Sequence, residues 1–269
     1  MTWYAGLEAI CQPDAPLAEL TWYRLGGPAR WLLSPRSDIE LAEVVSRCRA
    51  AGVAWRVLGH GANVLVRDAG VDAAVIRLSA PAFQECRWDG AIVHAAGGAD
   101  FPRIVKESAP RGLAGLAGLA GIPGSVGGII RMNAGGKYGY IADVVRDVRV
   151  LTPAGEFETR AAASIDFGYR HTELHGAIVV GATLALTPGD PAALAEEYRR
   201  VWLEKAAAQP AMAARSAGCI FRNPPGAAAG ALVDRAGLKG TRRGAAEIST
   251  RHANFIVAYP GATAQDVLD

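Results

Sequence analysis

Two glycine-rich loops carry the clearest chemical signal in the sequence. Residues 59–63 read GHGAN and lie between two β-rich runs, and residues 121–128 read GIPGSVGG. Because glycine has no Cβ, backbone N–H groups in such loops can converge on phosphate oxygens, and Asn63 and Ser125 can add side-chain hydrogen bonds. The alternative is a pair of tight structural turns. Together the loops favour a phosphate-bearing ligand.

Neither loop is a familiar nucleotide-binding motif. Val64 stands where the third glycine of GxGxxG would follow Gly59 and Gly61, and the sequence contains no GK[ST]. A Rossmann fingerprint and a P-loop are therefore excluded. The remaining hypothesis is a dinucleotide held by loops of another fold.

Cys219 lies in the segment SAGCIFRNPP, residues 216–225. A lone cysteine is most often a small core residue, and the residues alone favour that interpretation. The alternative is a loop that presents polar groups to an anion. Arg222 and Asn223 follow the cysteine, and two prolines then fix an extended exit.

A metal site is not expected. His171 and His175 stand four residues apart, but their neighbours indicate extended chain or a turn, and no third ligand is evident. The four cysteines are far apart in sequence and form no CxxC pair, which excludes a zinc ribbon or a thioredoxin-type site.

Composition narrows the class of protein. The chain has 269 residues, is 51% hydrophobic and has a formal net charge of +2. These values indicate a folded protein of one large or two modest domains, with no surface for nucleic acid. The first residues do not resemble a signal peptide, and no apolar run approaches the ~20 residues of a membrane helix. We therefore predict a cytoplasmic protein with no membrane partner.

Helical and strand patterns interleave around these motifs, which predicts an α+β fold. Ser37 and Asp100 can cap helices, and a long helix is expected over Ala192–Ala208. The boundary between a domain at 1–190 and a domain at 191–269 is placed at TPGDP, residues 187–191. The predicted strands are Trp55–Leu58, Val64–Val66, Ala74–Leu78, Ile92–Ala96, Val144–Leu151, Phe157–Thr159, Ala177–Leu186 and Asn254–Ala258.

In chain order, seven segments resemble the UDP-N-acetylenolpyruvoylglucosamine reductases, also called UDP-N-acetylmuramate dehydrogenases or the MurB family. Each motif is weak alone, but seven in the right order are highly specific, and they cover nearly the whole chain from about residue 20. The segments are 21–29 (TWYRLGGPA), 57–66 (VLGHGANVLV), 121–128 with 132–135 (GIPGSVGG and MNAG), 167–170 (FGYR), 216–224 (SAGCIFRNP), 237–240 (GLKG) and 249–257 (STRHANFIV).

The resemblance implies a flavoenzyme of peptidoglycan precursor synthesis. Its fold would hold FAD between two subdomains of the vanillyl-alcohol-oxidase (PCMH) type, at about 1–80 and 81–190, and a substrate-binding domain would occupy 191–269. NADPH would reduce the flavin, and the enolpyruvyl ether of UDP-N-acetylglucosamine would then be reduced to UDP-N-acetylmuramate. The family's C-terminal glutamate would lie beyond Asp269, so the resemblance implies a truncated last domain. The expected protein is a monomer.

The resemblance also assigns residues by position. Arg170 matches the catalytic arginine, and Cys219 stands where most members carry the serine that donates a proton; a thiol with an ordinary pKa near ~8.5 can also donate. Substrate contacts are expected from Tyr169, Arg222, Asn223 and His252. FAD contacts are expected from Gly59, His60, Gly61, Ala62, Asn63, Val64, Leu65, Gly121, Ile122, Gly124, Ser125, Gly127, Gly128, Asn133, Ala134 and Gly135.

The sequence departs from the family pattern in three places. Ala62 replaces the usual serine of the first loop, Arg222 replaces the usual lysine, and the chain between Phe167 and Ala192 is too short for the extra loop of one subgroup, which indicates a type II enzyme. Two alternatives remain open: another FAD-linked oxidase of the same superfamily, and an FAD- or UDP-sugar-binding module without turnover.

Overall fold

The structure, a computed structural model, describes residues 2–269. The chain divides into two compact units. Unit 1 comprises Met1–Pro13, Trp31–Gly59 and Ala73–Trp202, and unit 2 comprises Asp14–Arg30, His60–Asp72 and Leu203–Asp269. The border after Trp202 falls inside a helix and differs from the predicted border at residue 190. Unit 2 also takes in two N-terminal segments, which a linear division of the sequence cannot show.

Helices and strands alternate irregularly along the described chain. The helices are α1 (Asp38–Ala50), α2 (Phe101–Ser108), α3 (Val126–Arg131), α4 (Pro191–Ala208), α5 (Ala229–Arg235) and α6 (Ala264–Leu268). The strands are β1 (Cys11–Pro16), β2 (Pro28–Leu33), β3 (Trp55–Val57), β4 (Val71–Ile76), β5 (Cys86–Asp89), β6 (Ile92–Ala96), β7 (Leu113–Ala114), β8 (Gly135–Gly136), β9 (Gly139–Tyr140), β10 (Val145–Leu151), β11 (Phe157–Ala161), β12 (Phe167–Gly168), β13 (His171–Thr172), β14 (Ile178–Ala185), β15 (Thr187–Pro188), β16 (Arg242–Arg243), β17 (Ala246–Ile248) and β18 (Ile256–Ala258).

Unit 1 is built on a five-stranded antiparallel sheet in the order β11-β10-β14-β6-β5. Its central strand β14 is buried at every residue except the last. Ile178 and Val180 pack in one hydrophobic cluster with α1, while Val179 and Leu184 pack in another with α2 and α3. Because both faces of the strand are covered, its sequence is a continuous apolar run rather than an alternating one.

Local sequence signals start the first two helices as expected. The Ser37 hydroxyl accepts a hydrogen bond from the Glu40 N–H at 3.3 Å, and Asp100 Oδ1 accepts one from the Arg103 N–H at 3.3 Å. These side chains satisfy N–H groups that a first helical turn leaves without partners. The hairpin predicted around residues 153–155 is also present, with β10 and β11 antiparallel.

A second sheet has four strands in the order β1-β2-β4-β3, with β3 and β4 parallel. The strand predicted at Val64–Val66 is wrong. These residues belong to no sheet. Val66 instead lies against Gly26, and a Cβ added to Gly26 would come within 2.5 Å of the Val66 carbonyl oxygen. Apolar β-branched residues in this segment serve packing rather than strand pairing.

Unit 2 contains the three-stranded sheet β16-β17-β18 with helices α5 and α6. Tyr23 is fully buried in its core, and its hydroxyl donates to the carbonyl of Ile256 at 3.1 Å. The Asp68 carboxylate accepts hydrogen bonds from the N–H groups of Ala264 and Gln265, the first residues of α6. These contacts explain why segments 14–30 and 60–72 belong to this unit. Within residues 2–269, no helix is both long and apolar enough to span a bilayer.

Candidate active site

Gly59 and Ser125, one from each glycine-rich loop, meet inside unit 1. A Cβ on Gly59 would lie only 2.4 Å from Ser125 Oγ, so glycine is required for this approach as the structure stands. Ser125 is 3% exposed, and its hydroxyl makes no capping hydrogen bond to α3. The hydroxyl can therefore donate to an acceptor that a bound ligand supplies.

Backbone donors surround this hydroxyl. The N–H groups of Gly124, Ser125 and Gly128 donate to no acceptor in the part of the chain that the structure describes. Gly124 has φ +141°, a conformation that L side chains rarely adopt and that turns the chain into α3. Several N–H donors without partners, together with the Ser125 hydroxyl, suit an anionic group such as a phosphate.

The backbone N–H of Gly127 is used within the protein, and the predicted contact of Gly127 with FAD stays a prediction. Its N–H donates to the carbonyl of Gly97 at 2.7 Å, so this donor is not available to a phosphate. A Cβ at Gly127 would lie 3.0 Å from the Gly97 oxygen and 3.2 Å from the Val179 oxygen. The glycine therefore lets α3 pack closely against β6 and β14.

The first loop continues into unit 2 as residues 60–63. The N–H groups of His60, Gly61, Ala62 and Asn63 have no acceptor in the described chain, while the carbonyl of Gly61 accepts from the Trp22 N–H. Gly61 has φ +67°, and a Cβ there would lie 2.2 Å from the carbonyl oxygen of Leu20. Four successive N–H groups without partners form a second place where an anionic group fits.

Tyr169 and Arg170 form the two-residue turn between β12 and β13. Phe167 pairs with Thr172 and Gly168 with His171 in this hairpin. Arg170 has φ +55°, which is uncommon for a residue with a side chain, and its Nη1 donates to the carbonyl of Gly135 at 2.8 Å. Backbone strain of this kind occurs preferentially at functional positions. The guanidinium also lies 5.3 Å from the centre of the Tyr169 ring.

In unit 2, Asn254 holds the loop that contains Cys219, a function that the sequence analysis did not identify. Its Oδ1 accepts from the Phe221 N–H at 2.8 Å, and its Nδ2 donates to the Phe221 carbonyl at 2.9 Å. Asn254 is 4% exposed, whereas the Cys219 side chain is exposed. The core interpretation of Cys219 is therefore wrong. The signal available in the sequence was an asparagine within a β-rich run, where this residue type is unfavourable.

The remaining predicted substrate contacts also lie in unit 2. Asn223 Oδ1 accepts a hydrogen bond from the N–H of Ala229, the first residue of α5, at 2.9 Å. Arg222, the preceding residue, is exposed. Gly230 of α5 lies close to His252, since a Cβ there would be 3.3 Å from His252 Cε1. In the described unit 2, Asn223 and His252 thus both lie close to the first residues of α5.

His252 is held as a neutral imidazole. Burial is the main cause of its lowered pKa, and the nearby Lys239 ammonium lowers it further. Its Nδ1 accepts a hydrogen bond from the Asn254 N–H at 3.2 Å, which only an unprotonated nitrogen can do. Protonation of His252 would thus break a contact next to the hydrogen bonds between Asn254 and Phe221.

We predict that His252 makes the protein less stable in mild acid. The unfolded chain binds the proton more readily than the folded one, so stability is lost as pH falls below the ordinary histidine value near ~6.5. Between pH 7.5 and 5.5 the thermal midpoint of the His252→Gln variant should fall by roughly 2 °C less than that of the wild type. The exposed His175, changed to glutamine, is the matched control. Identical pH slopes in wild type and His252→Gln would contradict the prediction.

The side chains of His171 and His175 lie near the same acidic residue. Both imidazoles approach the exposed carboxylate of Glu173, at 3.6 Å and 3.4 Å. Within residues 2–269 no group of three or more His, Cys, Asp or Glu residues is arranged to hold a metal ion.

Comparisons with known proteins identify the two parts of the chain. Residues 29–160 match the family model of an FAD binding domain, and residues 209–269 match that of the UDP-N-acetylenolpyruvoylglucosamine reductase, C-terminal domain. The chain is therefore similar to FAD-binding proteins of mixed α/β fold that carry this additional C-terminal domain. The predicted fold class is confirmed.

Curated relatives and a solved structure agree over most of the length. A UDP-N-acetylenolpyruvoylglucosamine reductase of Streptococcus agalactiae is 38% identical over 94% of this chain and 84% of its own. One from Methylorubrum extorquens is 40% identical over 93% and 81%. The crystal structure of the reductase (MurB) from Thermus caldophilus is 39% identical, with a TM-score of 0.84 over 94% of this chain and 90% of that one. This chain belongs to the UDP-N-acetylenolpyruvoylglucosamine reductase family, as the seven motifs predicted.

More distant structures share only the fold. Phl p 4, a grass pollen allergen with glucose dehydrogenase activity, is 18% identical with a TM-score of 0.51, over 68% of this chain and 42% of that one. Such a match shows a shared fold and no more. It gives no reason to prefer an oxidase of another substrate class.

Proposed function

We propose that the chain is a flavin-dependent reductase. It reduces the enolpyruvyl ether of UDP-N-acetylglucosamine to UDP-N-acetylmuramate, with NADPH as electron donor. The observation that carries the proposal is the identity of 38–40% with reductases of this name over 93–95% of the chain. The donor groups described above supply the local chemistry that this activity needs.

The cofactor is FAD, which, once reduced by NADPH, supplies a hydride to C3 of the enolpyruvyl group. In unit 1, the free N–H groups around Ser125 would bind phosphate oxygens of FAD. In unit 2, those of residues 60–63 are likewise suited to phosphate oxygens. The Ser125 hydroxyl replaces part of the hydration that a buried phosphate loses. Glycines 59, 61 and 124 keep these positions accessible, because a Cβ at 59 or 61 would collide with the protein and the backbone at 124 favours glycine.

Arg170 stabilises the negative charge that develops when hydride adds beside the substrate carboxylate. A planar guanidinium can donate two parallel hydrogen bonds to carboxylate or enolate oxygens. The positive φ of Arg170 and its bond to the Gly135 carbonyl fix this group before the substrate arrives. Preorganised charge of this kind is commonly the largest single contribution to catalysis.

Cys219 delivers the proton that completes the reaction at C2. The thiol is exposed, on a loop fixed by the buried amide of Asn254, and Gly218 before it has φ +74°. Its proton goes to C2 as the hydride goes to C3, so the product carries two hydrogens more than the substrate. Solvent then returns a proton to the thiolate.

The substrate contacts are assigned by chemistry and position. Arg222 carries a positive charge suited to the diphosphate of the UDP group, and Tyr169, Asn223 and His252 contribute the other polar contacts. His252 is suited to a neutral hydrogen bond because its lowered pKa keeps it uncharged at pH 7.

We predict that Ser125→Ala weakens FAD binding about tenfold, the effect of losing one hydrogen bond to a charged group. The stability of the flavin-free protein should not fall, because the hydroxyl makes no capping hydrogen bond to α3. Titration of flavin-free protein with FAD, followed by quenching of flavin fluorescence, gives the Kd. Ser164→Ala, which removes a hydroxyl bonded to the Ala161 carbonyl, is the control. An unchanged Kd for Ser125→Ala would contradict the phosphate site.

The proposed activity is tested by turnover with product analysis. Purified protein, FAD, NADPH and the enolpyruvyl substrate should give one product per NADPH consumed, heavier by two hydrogens in the mass spectrum. Bound flavin with no substrate-dependent NADPH consumption would favour the binding module without turnover. Covalently attached flavin that oxidises simple alcohols would instead favour the oxidase alternative.

We also propose that the protein acts as a monomer in the cytoplasm, where UDP-activated sugars and NADPH are both present. Light scattering after gel filtration should then give a mass near the 28.1 kDa of the chain. A mass of twice that value at micromolar concentration would contradict the monomer.

A further inference from the structure

The hairpin that carries Arg170 is held by the end of α3 and by the segment that follows it. Four hydrogen bonds join residues 130–135 to residues 167–172 within unit 1. They run from Thr172 Oγ1 to the Ile130 carbonyl (2.6 Å), from Arg131 Nη1 to the Thr172 carbonyl (3.1 Å), from Asn133 Nδ2 to the Gly168 carbonyl (3.1 Å) and from Arg170 Nη1 to the Gly135 carbonyl (2.8 Å).

Asn133 is the buried side chain at the centre of this contact. It is 5% exposed and has φ +39°, a conformation that asparagine tolerates better than most residues. Its Nδ2 donates to Gly168, the residue before the Tyr169–Arg170 turn, and its Oδ1 accepts from the Ala142 N–H at 3.4 Å. The amide is thus bonded to protein backbone through both of its ends.

The hairpin needs such support. β12 and β13 contribute two residues each, and an isolated two-stranded hairpin is at best marginally stable in water. The turn also contains the positive φ of Arg170, which persists only where surrounding contacts determine it. The direction of the guanidinium therefore depends on the residues that hold the hairpin from outside.

We propose that Asn133 is a positioning residue for Arg170 rather than a direct contact of the cofactor. Its amide fixes the carbonyl of Gly168, and this sets the orientation of the turn and of the guanidinium. Asn133 follows α3, and α3 begins at the loop that contains Ser125. This short helix therefore connects the Ser125 loop to the segment that holds the Arg170 hairpin. The inference rests on the proposed role of Arg170 in stabilising the enolate.

Two variants of Asn133 distinguish the effect of its side-chain amide from that of its backbone conformation. Asn133→Gly retains access to positive φ but removes both hydrogen bonds. Asn133→Asp keeps an acceptor for the Ala142 N–H and places an oxygen, not a donor, against the Gly168 carbonyl. Ser108→Ala is the matched control, since it also removes a buried side-chain hydrogen bond to a backbone carbonyl in unit 1.

The first measurement is hydrogen–deuterium exchange of the full chain without substrates. In both Asn133 variants the amides of residues 167–172 should exchange at least about tenfold faster than in the wild type, because local opening becomes easier. Ser108→Ala should leave this peptide unchanged. Wild-type protection of 167–172 in both Asn133 variants would overturn the proposal.

The second measurement separates the two half-reactions by rapid mixing. NADPH should reduce the flavin of Asn133→Gly within about twofold of the wild-type rate, whereas reoxidation by the enolpyruvyl substrate should slow about 10–100-fold, as expected for a small misplacement of a catalytic group. In an Arg170→Lys background, Asn133→Gly should slow reoxidation by less than about threefold, because Asn133 acts through Arg170. Equal slowing in both half-reactions, or full additivity with Arg170→Lys, would overturn the proposal.

Failure of the proposed function is distinguishable from failure of this inference. If the wild-type protein shows no reoxidation by the enolpyruvyl substrate, the reductase activity is refuted, while the exchange experiment still decides whether Asn133 holds the hairpin. If the wild-type protein is reoxidised by the substrate and the Asn133 variants are reoxidised at the wild-type rate, or their loss is fully additive with that of Arg170→Lys, only the positioning role is refuted.

Discussion

Replacing Cys219 with alanine should slow the reduction of the enolpyruvyl substrate by about 10²–10⁴-fold, the contribution typical of a general acid. The variant should still bind FAD and be reduced by NADPH at close to the wild-type rate. The thiol is exposed and its loop is fixed by the Asn254 amide, so the substitution leaves no cavity and breaks none of the Asn254 contacts.

Cys219→Ser is the conservative partner of this variant and should retain substantial activity, since serine occupies this position in most of the family that the motifs resemble. Rapid-mixing spectrophotometry of each half-reaction is the measurement. Wild-type reoxidation of the alanine variant by substrate would refute the proton-donor role. Equal slowing of both half-reactions would indicate a structural effect.

Alkylation gives an independent check of the same thiol. Among the cysteines, Cys219 and Cys86 are exposed, Cys11 is half-buried, and burial raises the pKa of Cys48 to about 11. In a Cys86→Ser background, iodoacetamide should therefore inactivate the enzyme through Cys219, and bound substrate should protect it. Full activity after stoichiometric labelling of Cys219 would contradict the assignment.

Replacing Arg170 with lysine should slow the reoxidation of reduced flavin by about 10²-fold, the scale seen when one preorganised donor to a developing anion is lost. Lysine keeps the charge but lacks the planar pair of donors and the bond to the Gly135 carbonyl. NADPH reduction should change little. The thermal midpoint should also change little, because the turn is still held through the Gly168 and Thr172 carbonyls.

Arg160→Lys is the matched control for this variant. Arg160 also lies in unit 1 and donates through Nη1 to a backbone carbonyl, that of Leu174, but it is outside the Tyr169–Arg170 hairpin. Its replacement should leave both half-reactions within about twofold of the wild type. Comparable losses in both half-reactions of Arg170→Lys would assign Arg170 to packing or to a binding step shared by the two substrates.

Local sequence patterns predicted the helices and strands that depend on signals in neighbouring residues. Ser37 and Asp100 initiate α1 and α2, and the apolar run of β14 marks a strand covered on both faces. The prediction of a strand at Val64–Val66 was wrong because β propensity does not distinguish a segment that packs against Gly26 from one that pairs in a sheet.

Contacts between distant segments could not be predicted from local patterns. Asn133 and Asn254 occupy buried positions only because each amide bonds to backbone about 33–35 residues away. Gly127 lies close to the carbonyls of Gly97 and Val179, which are distant in sequence. The two-unit division likewise depends on the contact of Asp68 with the first residues of α6. Family resemblance located the motifs, but it did not show that the amides of Asn133 and Asn254 hold other segments in place.

A single-turnover experiment without oxygen tests whether the flavin reduces the enolpyruvyl substrate. Protein-bound FAD is reduced with one equivalent of NADPH, NADP⁺ is removed, and the enolpyruvyl ether of UDP-N-acetylglucosamine is added. We expect the absorbance of oxidised flavin to return and UDP-N-acetylmuramate to form in stoichiometric amount. Flavin that stays reduced after addition of the substrate, in protein that binds both FAD and the UDP-sugar, would contradict this expectation.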